Sequence, residues 1–164
     1  VRTWTYARPR ATSVFRDFIG YDPRGAETVR ASSRFALVDL EAGRFMRVDP
    51  ELLDAYGPED SPVFDSELPR LVAPKTVDFE RELDLRRSDL DYNGHVHNTH
   101  YLAFALDTLP DAESRDGSFR SVRIAYRAPI MPGSRSKIVA ARLDDGFAFA
   151  ITTNDQLNAA IELR

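Results

Sequence analysis

The sequence predicts an α+β fold in which an antiparallel sheet wraps one central helix. Two observations carry that expectation. From Tyr101 to Leu109, apolar residues recur at helical spacing, at Tyr101, Leu102, Ala105, Leu106 and Leu109. Elsewhere the apolar residues alternate with polar ones, or gather in short aromatic and branched runs bounded by turns. A helix with one apolar face, followed by a run of strands, buries that face most economically against their sheet.

The elements follow in order. The chain begins with Val1 rather than Met and is strand-like at once, as a trimmed or processed product or part of a longer chain would be. "SVFRDFIGY" is a strand, and "DPRG" at Asp22–Gly25 is a turn with Pro in its second position. "ETVRASSRFALVDL", the turn "EAGRF" and "RFMRV" continue a hairpin or meander. "DPELLDAYG" predicts a short helix with Asp49 as cap and Pro50 in its first turn. Residues 57–74 carry four prolines and little periodicity, and are expected to be a linker over the surface. "KTVDFERELDLRR" alternates and reads as a strand. The central helix is expected to be capped by Asn98 or Thr99 and ended by Pro110. Strand candidates "FRSVRIAYRAP", "SKIVAARL", "FAFAITT" and "NAAIELR" follow, the second and third joined by the turn "DDG".

Composition bounds the function. The chain has 164 residues, 43% hydrophobic and 29% charged, with a net charge of −4. That is the composition of a globular protein of one or two domains. Acids and bases are interspersed. No basic block suggests a nucleic-acid partner or an anionic membrane surface. The absence of cysteine excludes disulfides, thiolate metal sites and a Cys nucleophile. No apolar run approaches the length of a membrane span. A cytoplasmic location is the expectation.

The chemistry concentrates in "RRSDLDYNGHVHNTHYLAFALDTLP", which holds all three histidines, His95, His97 and His100. A strand ends near Ser88 and a helix begins near Asn98, so the loop delivers Asp91, Asn93 and His95 beside a helix N-terminus. Free N–H groups and the helix dipole there favour negative charge, and an oxyanion formed from a carbonyl is stabilised in that position. A carboxylate beside it can act as general base for water or as nucleophile. Gly94 permits a sharp turn. Asp91 and Asn93 have a plainer reading as turn formers. His100 is expected to be exposed on the first helical turn, and Asp107 to lie on a solvated face. His97 and His100 stand three apart, but without Cys or an HExxH pattern no metal and no cofactor are expected.

"SDLDYNGHVHNTHY" resembles the signature D-x-N-x-H-V-x-N-x-x-Y of hot-dog-fold thioesterases, with the acyl-acyl-carrier-protein thioesterases as the nearest family. "TW…FRDFIGYDPRGAETVRASSRFALVDLEAGRFMRV" resembles that family's first hot-dog, and "SVRIAYRAPIMPG" the strand after its second helix. The resemblance implies a tandem (double) hot-dog: residues 1–56 a partial N-terminal hot-dog lacking its opening strand and long helix, 57–74 a linker, and 75–164 a C-terminal hot-dog carrying the catalytic loop. The uncovered sheet face of such a first hot-dog implies residues missing before Val1, or a second chain such as a homodimer partner.

The resemblance further implies hydrolysis of fatty acyl thioesters on acyl-carrier protein, with Asp91, Asn93 and His95 on the family's catalytic Asp, Asn and His. The backbone around Val96 would then be the oxyanion donor. Val96, Asn98, Tyr101, Phe104 and Phe35 are the candidate substrate contacts, although core packing is the plainer reading of each aromatic. One departure stands out. The family carries a Glu in the pattern Y-x-x-E, and here the line reads Tyr126-Arg127-Ala128-Pro129. Proline cannot activate water. Two alternatives stand beside acyl-ACP hydrolysis: an acyl-CoA thioesterase of the same fold and, suggested by Pro129, a catalytically weakened acyl-binding module.

Overall fold

In the computed structural model, residues 1–6, 12–39, 41–65, 68–111, 113 and 119–164 are described. Residue 40 of the second strand run and residues 66 and 67 of the linker lie outside them. The chain divides into two units, Val1–Leu68 and Pro69–Arg164, with the boundary inside the expected linker.

The first unit is built on a three-stranded antiparallel sheet, β1 (Arg2–Tyr6), β2 (Ser13–Tyr21) and β3 (Glu27–Ala36), in that spatial order. The Asp22–Gly25 turn forms as expected. Its Asp22 side chain accepts from the Arg24 and Ala26 N–H groups at 2.8 and 2.9 Å, and Gly25 takes a left-handed φ of 84°. A two-residue pair, β4 (Val38–Asp39) and β5 (Arg44–Phe45), precedes α1 (Pro50–Asp54). Asp49 caps α1 by accepting from the Glu51 N–H at 2.9 Å.

The linker's first half departs from expectation. It is tied into the first unit rather than laid over its surface. The Trp4 indole donates to the Ser61 carbonyl at 2.7 Å, and the Val63 N–H donates to the fully buried Asp17 carboxylate at 2.7 Å. A buried carboxylate needs donors, and this extended segment supplies one.

The second unit holds the site. Its elements are β6 (Phe79–Leu83), a 3₁₀ turn (Arg87–Asp89), α2 (Asn98–Leu106), β7 (Val122–Tyr126), β8 (Ser136–Leu143), β9 (Gly146–Thr153) and β10 (Gln156–Leu163). The strands form one antiparallel sheet in the order β6-β8-β9-β10-β7. Consecutive hairpins join β8, β9 and β10. The last turn places Asn154 and Asp155 at positive φ, as a two-residue hairpin loop following the strand twist requires. The chain leaves β6 at one edge and re-enters as β7 at the other, and α2 lies on that crossing.

Tyr101, Phe104 and Ala105 of α2 pack with Ile138, Ala140, Phe149, Ile151, Ile161 and Leu163 of the sheet in one core. Each large side chain there contributes about 1.5–3 kcal/mol by leaving water. β6 is shorter than its sequence pattern, 79–83 rather than 75–87; Asp78 still ties the chain to β8, its N–H donating to the Ala140 carbonyl at 2.8 Å, while Asp84–Arg87 lie outside the ladder. The helix cap also differs from expectation. His97 is the N-cap, its backbone extended and its Nδ1 accepting from the Thr99 N–H at 3.3 Å, while Asn98 already belongs to the helix. Among the described residues, no helix is long and apolar enough to cross a membrane.

A β-bulge in β10 has a consequence for the site. The register with β9 slips between Leu157 and Ala159 and turns Asn158 inward, 1% exposed. Its carbonyl accepts from the Arg127 and Ala128 N–H groups at 2.7 and 3.3 Å, and its side-chain amide donates to the Pro129 carbonyl at 3.1 Å. The segment after β7 is thereby fixed to the sheet.

The tightest backbone approach in this unit is at Gly146, where an added Cβ would lie 1.9 Å from the Leu163 carbonyl oxygen. Gly146→Ala is expected to lower stability by roughly 3 kcal/mol, since the obstacle is ladder backbone that cannot rotate away. Urea denaturation measures it; a loss under about 1 kcal/mol contradicts the packing described.

Candidate active site

The loop between the 3₁₀ turn and α2 is closed by its own polar groups. Leu90 and Val96 form an antiparallel bridge. Between them the Asp91 N–H donates to the His95 carbonyl at 2.8 Å and the Gly94 N–H to the Asp91 carbonyl at 3.0 Å. Gly94 sits at φ 75°, where a side chain is strained. Oδ1 of Asp91 accepts from the Asn93 and His95 N–H groups at 2.8 and 3.1 Å. The turn-forming and functional readings of Asp91 thus hold together, because one oxygen makes the turn.

Asp89 pins the loop from beneath. It is 7% exposed, its carbonyl accepts from the His97 N–H at 2.8 Å, and its carboxylate accepts from the Arg86 N–H at 2.8 Å. The carboxylate also faces His100 Nδ1 at 3.5 Å. His100 is therefore a half-buried partner of Asp89, not the exposed residue that its place on the first helical turn suggested. The loop folds back on the sheet and brings Asp89 under the helix start.

Asp91, His95, Val96, Asn98 and Tyr101 line one side of a cavity of about 270 Å³. The facing wall is Tyr126–Pro129, the segment held by Asn158. The remaining candidates lie elsewhere. Asn93 is exposed and off the cavity, and its side chain bonds to Asp91. Phe104 lies in the core, and Phe35 stands on β3 of the other unit with 55% of its surface exposed. Sequence reasoning missed Tyr126 and Arg127 as walls. The signal available to it was the crossing topology, which returns the end of the strand after the helix to that helix's amino end.

The oxyanion donor also shifts. The Val96 N–H donates to the Ile130 carbonyl at 3.0 Å, so it does not face the cavity as an open donor. The pairing of the loop with the strand connection takes it up. The next residue whose N–H is open by position is Asn98, the first of α2, and no acceptor for it is found among the described residues.

Burial raises the Asp91 pKa, but the His95 and Asn93 backbone donors, the Asn93 amide and the His95 ring outweigh it, leaving the carboxyl below its ordinary value. Burial pushes the Tyr101 and Tyr126 phenols up. Tyr126 is 44% exposed, and its hydroxyl donates to the Asn98 carbonyl at 3.1 Å. Among the described residues no three His, Cys, Asp or Glu side chains gather as metal ligands. An ionised carboxylate, an imidazole and an open helix start facing one cleft can polarise water and stabilise an oxyanion.

One helix laid on a five-stranded antiparallel sheet, with a polar cleft at its amino end, defines the hot-dog class of domain. Residues 72–163 match the family model for the acyl-ACP thioesterase C-terminal domain, more than half of the chain, and the chain belongs to that family. Oleoyl-acyl carrier protein thioesterase 2, chloroplastic, of Arabidopsis thaliana is 28% identical over 139 residues, covering 77% of this chain and 37% of that protein. The dodecanoyl-acyl-carrier-protein hydrolase, chloroplastic, of Umbellularia californica is 29% identical over 119 residues, covering 68% of this chain and 31% of that protein. The chain thus spans about a third of the length of these relatives.

Two solved structures share the fold. The 12:0-ACP thioesterase from Umbellularia californica gives a TM-score of 0.85 at 21% identity over 99% of this chain and 65% of that one. An acyl-ACP thioesterase from Bacteroides thetaiotaomicron gives 0.84 at 20% identity over 98% and 65%. That coverage carries the tandem hot-dog class across both units.

The lowered Asp91 pKa has a signed consequence. Its carboxylate stabilises the fold above the unfolded-state pKa, and that contribution disappears as pH falls through the lower folded value. The parent is expected to melt above Asp91→Asn at neutral pH, with the gap narrowing only as pH falls through and below the ordinary carboxylate range. Thermal denaturation across that range measures it; a gap independent of pH contradicts the hydrogen-bonded carboxylate.

Proposed function

We propose that this chain carries the water-activating part of a thioesterase that hydrolyses fatty acyl thioesters on acyl-carrier protein, releasing free fatty acid and carrier protein without a metal. The observation that carries this reading is the meeting of Asp91 and His95 in one cleft with the open N–H of Asn98. Family membership and the printed activities of the relatives support the same substrate class.

Asp91 takes a proton from water as the water oxygen bonds to the thioester carbonyl carbon. The carbonyl electrons move onto oxygen, toward the Asn98 N–H and the positive end of α2. Collapse of the tetrahedral adduct breaks the C–S bond, and the sulfur leaves with the proton, returned by Asp91 or relayed by His95. Asn93 acts one step back, by holding the carboxylate. The apolar surface of Val96, Ala128 and Pro129 shelters the start of the acyl chain at about 25 cal/mol per Å² removed from water.

Thiol release from acyl-carrier protein and acyl-CoA, with the parent and Asp91→Asn, tests the proposal. The parent is expected to turn over the carrier substrate, and the variant to lose about 10²–10⁴ in kcat. Chelator is expected to leave the rate unchanged. Arg86, Arg87, Arg120 and Arg127 are exposed, whereas Arg123 is engaged by Glu162 at 3.3 Å. If the exposed four steer an acidic carrier, salt depresses kcat/KM more on that substrate than on acyl-CoA. The reverse favours the acyl-CoA reading.

Pro129 favours a second reading, that of a weakened acyl-binding module, because it lines the cleft where the family pattern has Glu. Pro129→Glu is expected to raise kcat by about tenfold or more, by supplying a second carboxylate. If the parent binds acyl chains, Asp91→Asn changes nothing and Pro129→Glu stays inactive, the hydrolase proposal is wrong.

A further inference from the structure

We propose that the Tyr101 hydroxyl is a second donor to the thioester carbonyl oxygen, completing with the Asn98 N–H a two-donor oxyanion site. This rests on the thioesterase reading. The argument begins from what is already taken. Around the helix start, the His95 N–H goes to Asp91, the Val96 N–H to Ile130, the His97 N–H to Asp89, the Thr99 N–H to the His97 ring and the His100 N–H to the His97 carbonyl. Asn98 alone among these six N–H groups has no acceptor among the described residues. A tetrahedral oxyanion is best held by more than one donor in a site dry enough for each to count.

The side chains on the cleft narrow the choice of a second donor. The Tyr126 hydroxyl donates to the Asn98 carbonyl, and the Arg127 guanidinium lies on the Leu71 carbonyl at 3.2 Å. Tyr101 differs. It stands three residues after Asn98, on the same side of α2 and one turn along, so both present to the same end of the cleft. It is 2% exposed, and its ring is fixed edge-on against Tyr126, centroids 5.1 Å apart at 86°. The Ile130 N–H acts on the phenol as a donor would, lowering its pKa against the effect of burial, and the hydroxyl's own proton remains to be given. No acceptor for that proton is recorded among the described residues, and the open direction is the cleft. A buried hydroxyl proton normally has a recipient; here the substrate carbonyl supplies one. Burial keeps the phenol protonated through the neutral range, as a donor must be.

Tyr101→Phe retains the ring and its packing and removes the proton. Two measurements are made on it, with melting temperature as the check on folding. The first is turnover of the carrier thioester, where kcat is expected to fall by about 10²-fold while KM stays within about threefold. The second needs no turnover. A ketone analogue with a methylene between carbonyl and sulfur, ¹³C-labelled at the carbonyl, is bound to both proteins, and its carbonyl stretch is read by difference infrared spectroscopy. The band is expected at lower frequency in the parent than in Tyr101→Phe.

Parent-like kcat in Tyr101→Phe, or a band at the same frequency in both, overturns the assignment and leaves the hydrolase reading standing. If the parent and Asp91→Asn release thiol equally slowly, the hydrolase reading fails. The infrared shift then decides Tyr101 by itself, as the carbonyl anchor of a binding module. A ketone that binds to neither protein removes both proposals.

Discussion

Two backbone N–H groups close on one oxygen of Asp91, and the site is organised around that contact. It folds residues 91–95 into a turn tight enough for Leu90 and Val96 to pair, which aims the chain directly into α2. It also divides the labour of the carboxylate. Oδ1 is committed to the loop, while no backbone N–H among the described residues is bonded to Oδ2. A carboxylate so fixed is held in one orientation on the cleft wall, and positioning of that kind is what a general base would need.

The sheet supplies the opposite wall by a similar economy. Because β6 and β7 are the two edge strands, the connection between them must cross the sheet, and α2 is the part that covers it. β7 then ends beside the helix's amino terminus. There the Asn158 bulge binds Arg127, Ala128 and Pro129 in place, and the Tyr126 hydroxyl ties the wall to the Asn98 carbonyl. The cleft is thus spanned by hydrogen bonds from elements far apart in sequence, and its shape is set by the same ladders that hold the core.

Much of this was legible in the chain. The helix at 98–106 declared itself through its apolar spacing, and the following strands through their apolar and branched runs, two of them joined by "DDG". The loop showed its acid, amide and imidazole at fixed intervals. What stayed hidden was hydrogen-bond allocation, which spacing does not encode. Nothing local marks the Val96 N–H as taken by Ile130 or His100 as the neighbour of Asp89, since both depend on which distant segment folds against the loop. His97 was passed over as cap because Asn is the stronger capping residue. Tertiary placement of the following helix start overrode that preference. The tie between Asp17 and Val63 was hidden for a similar reason: a strand aspartate reads as exposed until a remote segment covers it.

The electrostatics of Asp91 bear directly on the role proposed for it. A carboxyl held below its ordinary pKa is reliably ionised, but it is a poor proton acceptor, and general-base catalysis improves as the pKa approaches the working pH. Pro129 lines the cleft where the family pattern has Glu, so among the described lining residues Asp91 is the one carboxylate. The opposing influence is already present, since burial raises this pKa and is held in check by the loop's donors. An acyl chain lying on Val96, Ala128 and Pro129 would expel water from a cavity of about 270 Å³ and strengthen that influence, while the donors to Oδ1 stay unchanged. In the reaction proposed above, filling the cleft would move Asp91 toward the basicity of a general base. Under that proposal, proton abstraction would be tied to occupancy of the cleft, because the loop's donors hold the carboxyl low while nothing else dries it.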